Sequence, residues 1–214
     1  MTAIAPCITV ETPEAYQQSL DRLAPFAERV HIDVSDGEFA PAFLLGADQL
    51  VWPETWQVDI HAMVMRPSEY VPTLIKLKPR LIVLHAEAGE DLMPHIQQIK
   101  QAGIKAGIAL LKTTVPKTVS HLISAVDHVL IFSGTLGRYG GSASMMQLEK
   151  VRLVRAIKPD VEIGWDGGAS VENAYSLSQG GIDVINVGGA IATATDPQEV
   201  YAKFVREVNK QGVM

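Results

Sequence analysis

Apolar and polar side chains alternate in Val30-His31-Ile32-Asp33-Val34, and the alternation recurs in Val58-Asp59-Ile60-His61-Ala62. Successive side chains of a β-strand point to opposite faces, so the polar residues of each segment share one face and the apolar residues share the other. A third segment, Val161-Glu162-Ile163-Gly164-Trp165-Asp166, places its odd-numbered apolar residues on one face and its final carboxylate on the other. Three strands are therefore predicted to direct polar groups toward one axis.

Short apolar or β-branched segments recur along the whole chain, separated by amphipathic stretches, which is the pattern of βα repeats rather than of hairpins. Most repeats have the roughly 22 to 33 residues that a strand, two loops and a helix need. The predicted strands are Ala3 to Thr9, Arg29 to Val34, Gln57 to Met63, Arg80 to His85, Lys105 to Leu110, His128 to Phe132, Glu162 to Asp166 and Asp183 to Val187.

Helix signals fall between these strands. Thr12-Pro13 is typical of an N-cap followed by proline in the first turn, and Asp196-Pro197-Gln198-Glu199 predicts the start of the last helix. Eight strands with intervening helices fit a closed barrel or an open doubly wound sheet, but no GxGxxG fingerprint follows the first strand. We therefore predict an α/β protein, a single (β/α)8 barrel domain over residues 1–214.

Composition narrows the classes of partner. The 214 residues carry a formal charge of −6, which argues against nucleic acid or an anionic membrane as a partner recognised by bulk charge. Cys7 is the only cysteine, and no apolar run approaches the roughly 20 residues of a membrane helix. The expectation is a soluble, cytoplasmic protein that holds a small ligand locally.

Inward carboxylates and imidazoles are costly inside a barrel unless they pair or bind something. Two imidazoles and two carboxylates drawn from three strands are suited to zinc, manganese or iron. The alternative is that each is a core polar group satisfied by a neighbour. Among the other histidines, only His85, beside Glu87 at a strand end, is expected to line the mouth of the barrel.

Four segments together resemble the ribulose-phosphate 3-epimerase family, and the resemblance covers almost the whole chain. They are HIDVSDGEFAP (His31 to Pro41), DIHAMV (Asp59 to Val64), EIGWDGGAS (Glu162 to Ser170) and DVINVGGAI (Asp183 to Ile191).

The resemblance implies that His31, Asp33, His61 and Asp166 hold one divalent metal ion, whose identity as zinc, iron or manganese stays open. It also implies that Asp33 and Asp166 move the proton, Asp33 as the base from ribulose phosphate and Asp166 as the acid. Epimerisation beside a ketone needs a base on one face of the carbon and an acid on the other. Met63 matches a family methionine near the reacting carbon.

Phosphate is expected at the loops after strands seven and eight, where barrel enzymes commonly bind it. Gly167-Gly168 and Gly188-Gly189 stand there, and glycine lets backbone N–H groups approach an anion. Gly140-Gly141 on the loop after strand six would add a lid. The alternative is that these glycines only permit tight turns.

Departures from the family concentrate around the substrate. The chain reads Pro6-Cys7-Ile8-Thr9-Val10 where the family has a PSILS-like stretch, and Leu111-Lys112 where it has asparagine and proline. The loop Gly134 to Ser142 is altered and contains Arg138, a candidate phosphate or carboxylate contact, and Gly189 replaces a frequent serine.

The predicted function is metal-dependent epimerisation at C3 of a ketose phosphate, D-ribulose 5-phosphate to D-xylulose 5-phosphate, in carbohydrate metabolism. Two alternatives stay open: an epimerase for six-carbon allulose phosphate, and a non-catalytic barrel that binds metal or phosphate. The sequence leaves the oligomeric state undecided, with a homo-oligomer possible.

Overall fold

A computed structural model describes residues 1–210, so the last four residues of the predicted 1–214 domain lie outside the described part. Eight parallel strands close into a barrel in chain order, with β8 pairing with β1. The strands are β1 Ala3–Ile8, β2 Arg29–Ser35, β3 Gln57–Met63, β4 Leu81–His85, β5 Lys105–Leu110, β6 His128–Phe132, β7 Glu162–Asp166 and β8 Val184–Val187. The predicted (β/α)8 barrel is confirmed.

Within residues 1–210, eight α-helices accompany the strands. They are α1 Pro13–Leu23, α2 Pro67–Lys76, α3 Met93–Gln101, α4 Ser120–Ala125, α5 Glu149–Ile157, α6 Val171–Gln179, α7 Gly189–Ala192 and α8 Pro197–Val208. The predicted caps are confirmed, because Thr12 accepts a hydrogen bond from Ala15 N and Asp196 accepts one from Glu199 N. No helix within residues 1–210 is both long and apolar enough to cross a membrane.

The repeat is irregular in two places, after β2 and after β8. Between β2 and β3 the chain forms only a 3₁₀ turn, Ala47–Gln49, instead of an α-helix. This connection contains Gly37, Pro41, Gly46 and Pro53, which disfavour a continuous helix. The count of eight helices is reached because α7 and α8 both follow β8.

The strand alternation separates two environments. Outward side chains such as Ile32, Ile60 and Trp165 are fully buried in the main core between strands and helices. Inward side chains of β4 to β6 form a smaller apolar cluster of Leu81, Val83, Ala109 and Leu130. The inward polar residues of β2, β3 and β7 therefore lie inside the barrel, as their parity predicts.

Candidate active site

Four predicted ligands meet at the C-terminal ends of β2, β3 and β7. The register pairs Asp33 with His61, so these two side chains enter the barrel at one level. His61 Nδ1 lies 2.9 Å from Asp33 Oδ1 and 3.7 Å from Asp166 Oδ2. His31 Nε2 lies 3.2 Å from the same oxygen of Asp33 and 3.7 Å from that of Asp166.

This cluster fits a divalent cation. One ligand atom from each of the four residues falls in a set whose members all lie within 4.8 Å of one another. His31 Nε2 is buried and has no hydrogen bond of acceptable geometry, although a carboxylate oxygen is near it. A buried imidazole nitrogen without a partner is costly, and two nitrogen with two oxygen ligands suit zinc, iron or manganese.

The two carboxylates have opposite pKa shifts. Burial alone would raise the pKa of Asp33, but the close imidazoles of His31 and His61 outweigh burial and hold the pKa below its ordinary value. Burial raises the pKa of Asp166, and the negative charge of Asp33 acts in the same direction. Without a cation, the environments of the two carboxylates therefore drive their pKa values apart, with Asp33 favouring the ionised form more strongly than Asp166.

His85 extends this cluster, where the sequence suggested only a place near the mouth. Its Nε2 lies 2.9 Å from His61 Nε2, and its Nδ1 lies 3.3 Å from Glu87 Oε2. Burial lowers the pKa of His85 to about 4, so the imidazole is neutral at pH 7.

A cavity of about 240 Å³ opens above the cluster. Both aspartates line it, together with every residue predicted to contact substrate or phosphate: Met63, Arg138, Gly140, Gly141, Gly167, Gly168, Gly188 and Gly189. Arg138 is exposed and Met63 is buried. Their common location is compatible with substrate binding, while their individual roles stay predictions.

The glycines have a structural reason as well. A Cβ on Gly167 would lie 2.0 Å from Gly134 N, and one on Gly168 would lie 2.1 Å from Ala143 N. Both have positive φ, at 103° and 69°. The loop after β7 thus needs glycine to pack against the loop after β6, whether or not an anion binds there.

Several residues that line the site lie outside the sequence predictions. Thr9 Oγ1 donates to Asp33 Oδ2 at 2.5 Å, and Thr9 N donates to the hydroxyl of Tyr139 at 2.8 Å. Asn186 on β8 is buried, and its Oδ1 has no hydrogen-bond partner in the described structure. Asn186 lies within a predicted strand, so its parity could have identified it, whereas the contact between Thr9 and Tyr139 depends on loop geometry.

Asp59 points into the barrel on the same face of β3 as His61, but the two side chains lie at opposite ends of the barrel interior. It pairs with Arg29 and Arg80 at the N-terminal end of the barrel interior. Parity determines which face a side chain takes, and the position along the strand determines which end of the barrel it reaches.

Comparisons of the sequence with known proteins identify relatives of this chain. The sequence matches the family model described as "Ribulose-phosphate 3 epimerase family" over residues 3–192. The ribulose-phosphate 3-epimerase of Bacillus subtilis (strain 168) is 30% identical over 186 residues, 83% of this chain and 86% of that protein. The ribulose-phosphate 3-epimerase of Escherichia coli (strain K12) is 28% identical over 216 residues, 97% of this chain and 96% of that protein.

Solved structures support the fold alone. The 3-hexulose-6-phosphate synthase of Salmonella typhimurium superposes with a TM-score of 0.71 at 16% identity, covering 97% of this chain and 98% of that one. KGPDC from Streptococcus mutans gives a TM-score of 0.70 at 10% identity, with 97% of both chains covered.

Proposed function

Because the chain belongs to the ribulose-phosphate 3-epimerase family, we propose that it interconverts D-ribulose 5-phosphate and D-xylulose 5-phosphate by proton transfer at C3. The observation that carries the proposal is the pair Asp33 and Asp166, which line one cavity with pKa shifts in opposite directions. Two titratable groups whose environments drive their pKa values apart are suited to act as base and acid.

Each aspartate has a defined role in this reaction. The ionised carboxylate of Asp33 takes the proton from C3, and the bonding electrons move into the C2 carbonyl to give an enediolate. Protonated Asp166 then delivers its proton to C3 from the opposite face, which inverts the centre. Thr9 holds Asp33 Oδ2 by a hydrogen bond and so orients the base. In the reverse direction the two roles exchange.

The metal belongs to the same proposal. His31 and His61 would hold it through nitrogen, and Asp33 and Asp166 through oxygen, all from the buried cluster. When bound, a divalent cation stabilises the negative charge that develops on the substrate oxygens. Zinc, iron and manganese all suit this ligand set.

The phosphate group is proposed to bind near Gly188 and Gly189, which begin helix α7. The first turn of a helix leaves backbone N–H groups without intrahelical partners, and these attract anions. A Cβ on Gly188 would meet the ring of Tyr139 at 2.9 Å, whereas one on Gly189 has no neighbour closer than 3.6 Å. Gly189→Val is thus the cleaner test. It should weaken competitive inhibition by inorganic phosphate, and unchanged inhibition would move the site elsewhere.

The activity is tested by incubating the protein and one divalent metal with D-ribulose 5-phosphate in deuterium oxide, followed by NMR. We expect D-xylulose 5-phosphate carrying deuterium at C3. Allulose 6-phosphate in parallel tests the six-carbon alternative. Bound metal with no exchange of either sugar phosphate would favour the non-catalytic barrel and contradict the proposal.

The proposal includes a cytoplasmic location. It is supported by the presence of a single cysteine, which is typical of proteins in a reducing compartment.

A further inference from the structure

Behind the proposed ligand His61 lies a continuous chain of polar contacts. His61 Nδ1 faces the two aspartates, and its other nitrogen, Nε2, lies 2.9 Å from His85 Nε2. On the far side of His85, Nδ1 lies 3.3 Å from Glu87 Oε2. Both imidazoles are fully buried, and the ring of Phe132 packs 5.8 Å from each of them, centroid to centroid. Bulk water therefore does not supply these nitrogens with alternative partners.

Glu87 is held in one orientation. Its Oε1 accepts hydrogen bonds from the backbone N–H of Leu111, at 2.9 Å, and from the hydroxyl of Thr114. Both contacts use the same oxygen, so Oε2 is left for His85. A backbone N–H always donates, which means that the Oε1 position must always be an acceptor.

The direction of hydrogen bonding follows from this carboxylate. An ionised carboxylate only accepts, so His85 donates through Nδ1–H, and the neutral ring then presents a lone pair at Nε2. A neutral His61 can donate to that lone pair only through Nε2–H, which leaves its Nδ1 without a proton and able to bind a cation. Asp33 alone would favour the opposite tautomer, because a proton on His61 Nδ1 would hydrogen-bond to its Oδ1.

We propose that Glu87, acting through His85, is a positioning group that keeps His61 Nδ1 unprotonated and directed at the ion. Glu87 does not touch substrate or metal. The inference rests on the proposed metal site and deepens it, because it assigns a role to two residues behind the ligands. Partners of this kind orient ligating histidines in metal sites, and their loss typically costs about 10- to 100-fold in metal affinity.

The substitution Glu87→Gln reverses the direction of the hydrogen bonds from residue 87 through His85 to His61, with almost no change in the shape of the side chain. The backbone N–H of Leu111 requires the amide oxygen at the Oε1 position, so the amide NH₂ takes the place of Oε2 and faces His85. His85 Nδ1 must then accept, His85 Nε2 must donate, and His61 is driven to carry its proton on Nδ1. The zinc affinity of the metal-free protein, measured by competition with a chromophoric chelator, should fall about 10- to 100-fold.

The matched control is Glu90→Gln. Glu90 Oε2 also contacts a histidine, His95 Nε2 at 3.2 Å, but this pair belongs to the loop after β4 and helix α3 rather than to the ligand cluster. Its zinc affinity should equal that of the parent. Melting temperatures of the metal-free proteins, which should agree between parent and both variants, exclude a general loss of fold.

A second pair of variants, both at His85, keeps the test decisive if Glu87→Gln folds poorly. In His85→Gln an amide oxygen accepts from His61 while the NH₂ donates to Glu87, so zinc affinity should stay within about threefold of the parent. His85→Leu offers no acceptor and should lose at least about tenfold. Equal affinity of folded Glu87→Gln and the parent, or of the two His85 variants, would overturn the positioning role alone. A parent that binds no zinc would overturn the metal site itself.

Discussion

Both ends of the barrel interior carry carboxylates and imidazoles, but the two ends differ in how the negative charge of the carboxylates is compensated. At the N-terminal end, Glu162 accepts hydrogen bonds from Arg29 and Arg80 at 2.9 to 3.1 Å and lies 2.8 Å from His128 Nδ1. Asp59 bonds the same two arginines at 2.7 and 2.9 Å. Each oxygen of these two carboxylates therefore has a basic side chain as a partner.

At the C-terminal end the cluster contains no arginine or lysine. Asp33 and Asp166 share two imidazoles, one imidazole nitrogen has no partner, and burial raises the pKa of Asp166. Buried carboxylates stabilise a fold when their charge is compensated and become reactive groups when it is not. The comparison therefore predicts that damage to one end lowers stability and damage to the other end lowers activity.

The largest expected effect is on turnover. Asp33→Asn and Asp166→Asn remove a proton-transferring carboxylate, so epimerisation should fall at least about 100-fold in each. Steady-state rates with D-ribulose 5-phosphate measure the loss. Glu162→Gln is the matched change at the other end and should keep near-parental rates. Near-parental turnover in both asparagine variants would refute the two-aspartate mechanism.

The second effect is on stability. Glu162→Gln leaves the two arginines with less compensation, and because Glu162 is 26% exposed the cost should be about 2 kcal/mol rather than the larger values of fully buried pairs. Urea unfolding of the metal-free protein measures it. Glu199→Gln, which removes the surface pair with Lys203 and a carboxylate from the first turn of α8, should cost about 1 kcal/mol or less. Equal costs would mean that the N-terminal cluster contributes no more than a surface pair.

The environment of Glu162 also predicts how the free energy of unfolding depends on pH. Burial would raise the pKa of Glu162, but hydrogen bonds and charge from His128 and Arg29 hold it well below its ordinary value. A depressed pKa stabilises the folded state above the unfolded-state pKa of about 4.3, and this stabilisation is lost as pH falls below that value. The free energy of unfolding should therefore fall less steeply between about pH 5 and pH 3 in Glu162→Gln than in the parent. Parallel profiles would exclude Glu162 as a source of acid sensitivity.

A smaller effect of opposite sign is expected from Asp166→Asn in chelator-treated protein. Because burial raises the pKa of Asp166, its ionised form destabilises the metal-free fold at neutral pH. Replacing it with a neutral amide should raise the melting temperature by roughly 2–4 °C, the shift for about 1 kcal/mol in a chain of this size. A lower melting temperature would show that Asp166 is a satisfied structural group.

The smallest effect concerns the loop after β6, whose residues line the cavity. Tyr139→Phe removes the acceptor for Thr9 N and so loosens the segment that holds Asp33. The hydroxyl of Tyr139 also donates to Cys7 O at 3.3 Å, so two neutral hydrogen bonds are lost, and at about 1 kcal/mol for the shorter one KM should rise at least roughly fivefold. A change confined to kcat would instead indicate that Tyr139 acts on the chemical step.

The sequence was most informative where periodicity governs structure. Four predicted strands have the observed bounds, and the other four differ by one residue at one end. Alternation and barrel closure together bring His31, Asp33, His61 and Asp166 to one cluster. Alternation alone left Asp59 ambiguous, because its distance from the mouth depends on its position along β3.

Residues on loops were harder to predict. Glu87, Thr114 and Tyr139 reach the site through turns whose geometry no periodic pattern specifies. The glycine pairs illustrate the same limit. Their sequence indicated an anion site, and only the structure reveals that Gly167 and Gly168 also permit two loops to pack closely.

The central claim is that the C-terminal cluster, and not the N-terminal one, holds a divalent ion. Elemental analysis of purified parent, Glu162→Gln and His61→Ala after loading with zinc and desalting tests it most directly. We predict about one ion per chain in the parent and in Glu162→Gln, with most of it lost from folded His61→Ala. Equal zinc in the parent and His61→Ala, or loss of zinc from folded Glu162→Gln, would contradict this account.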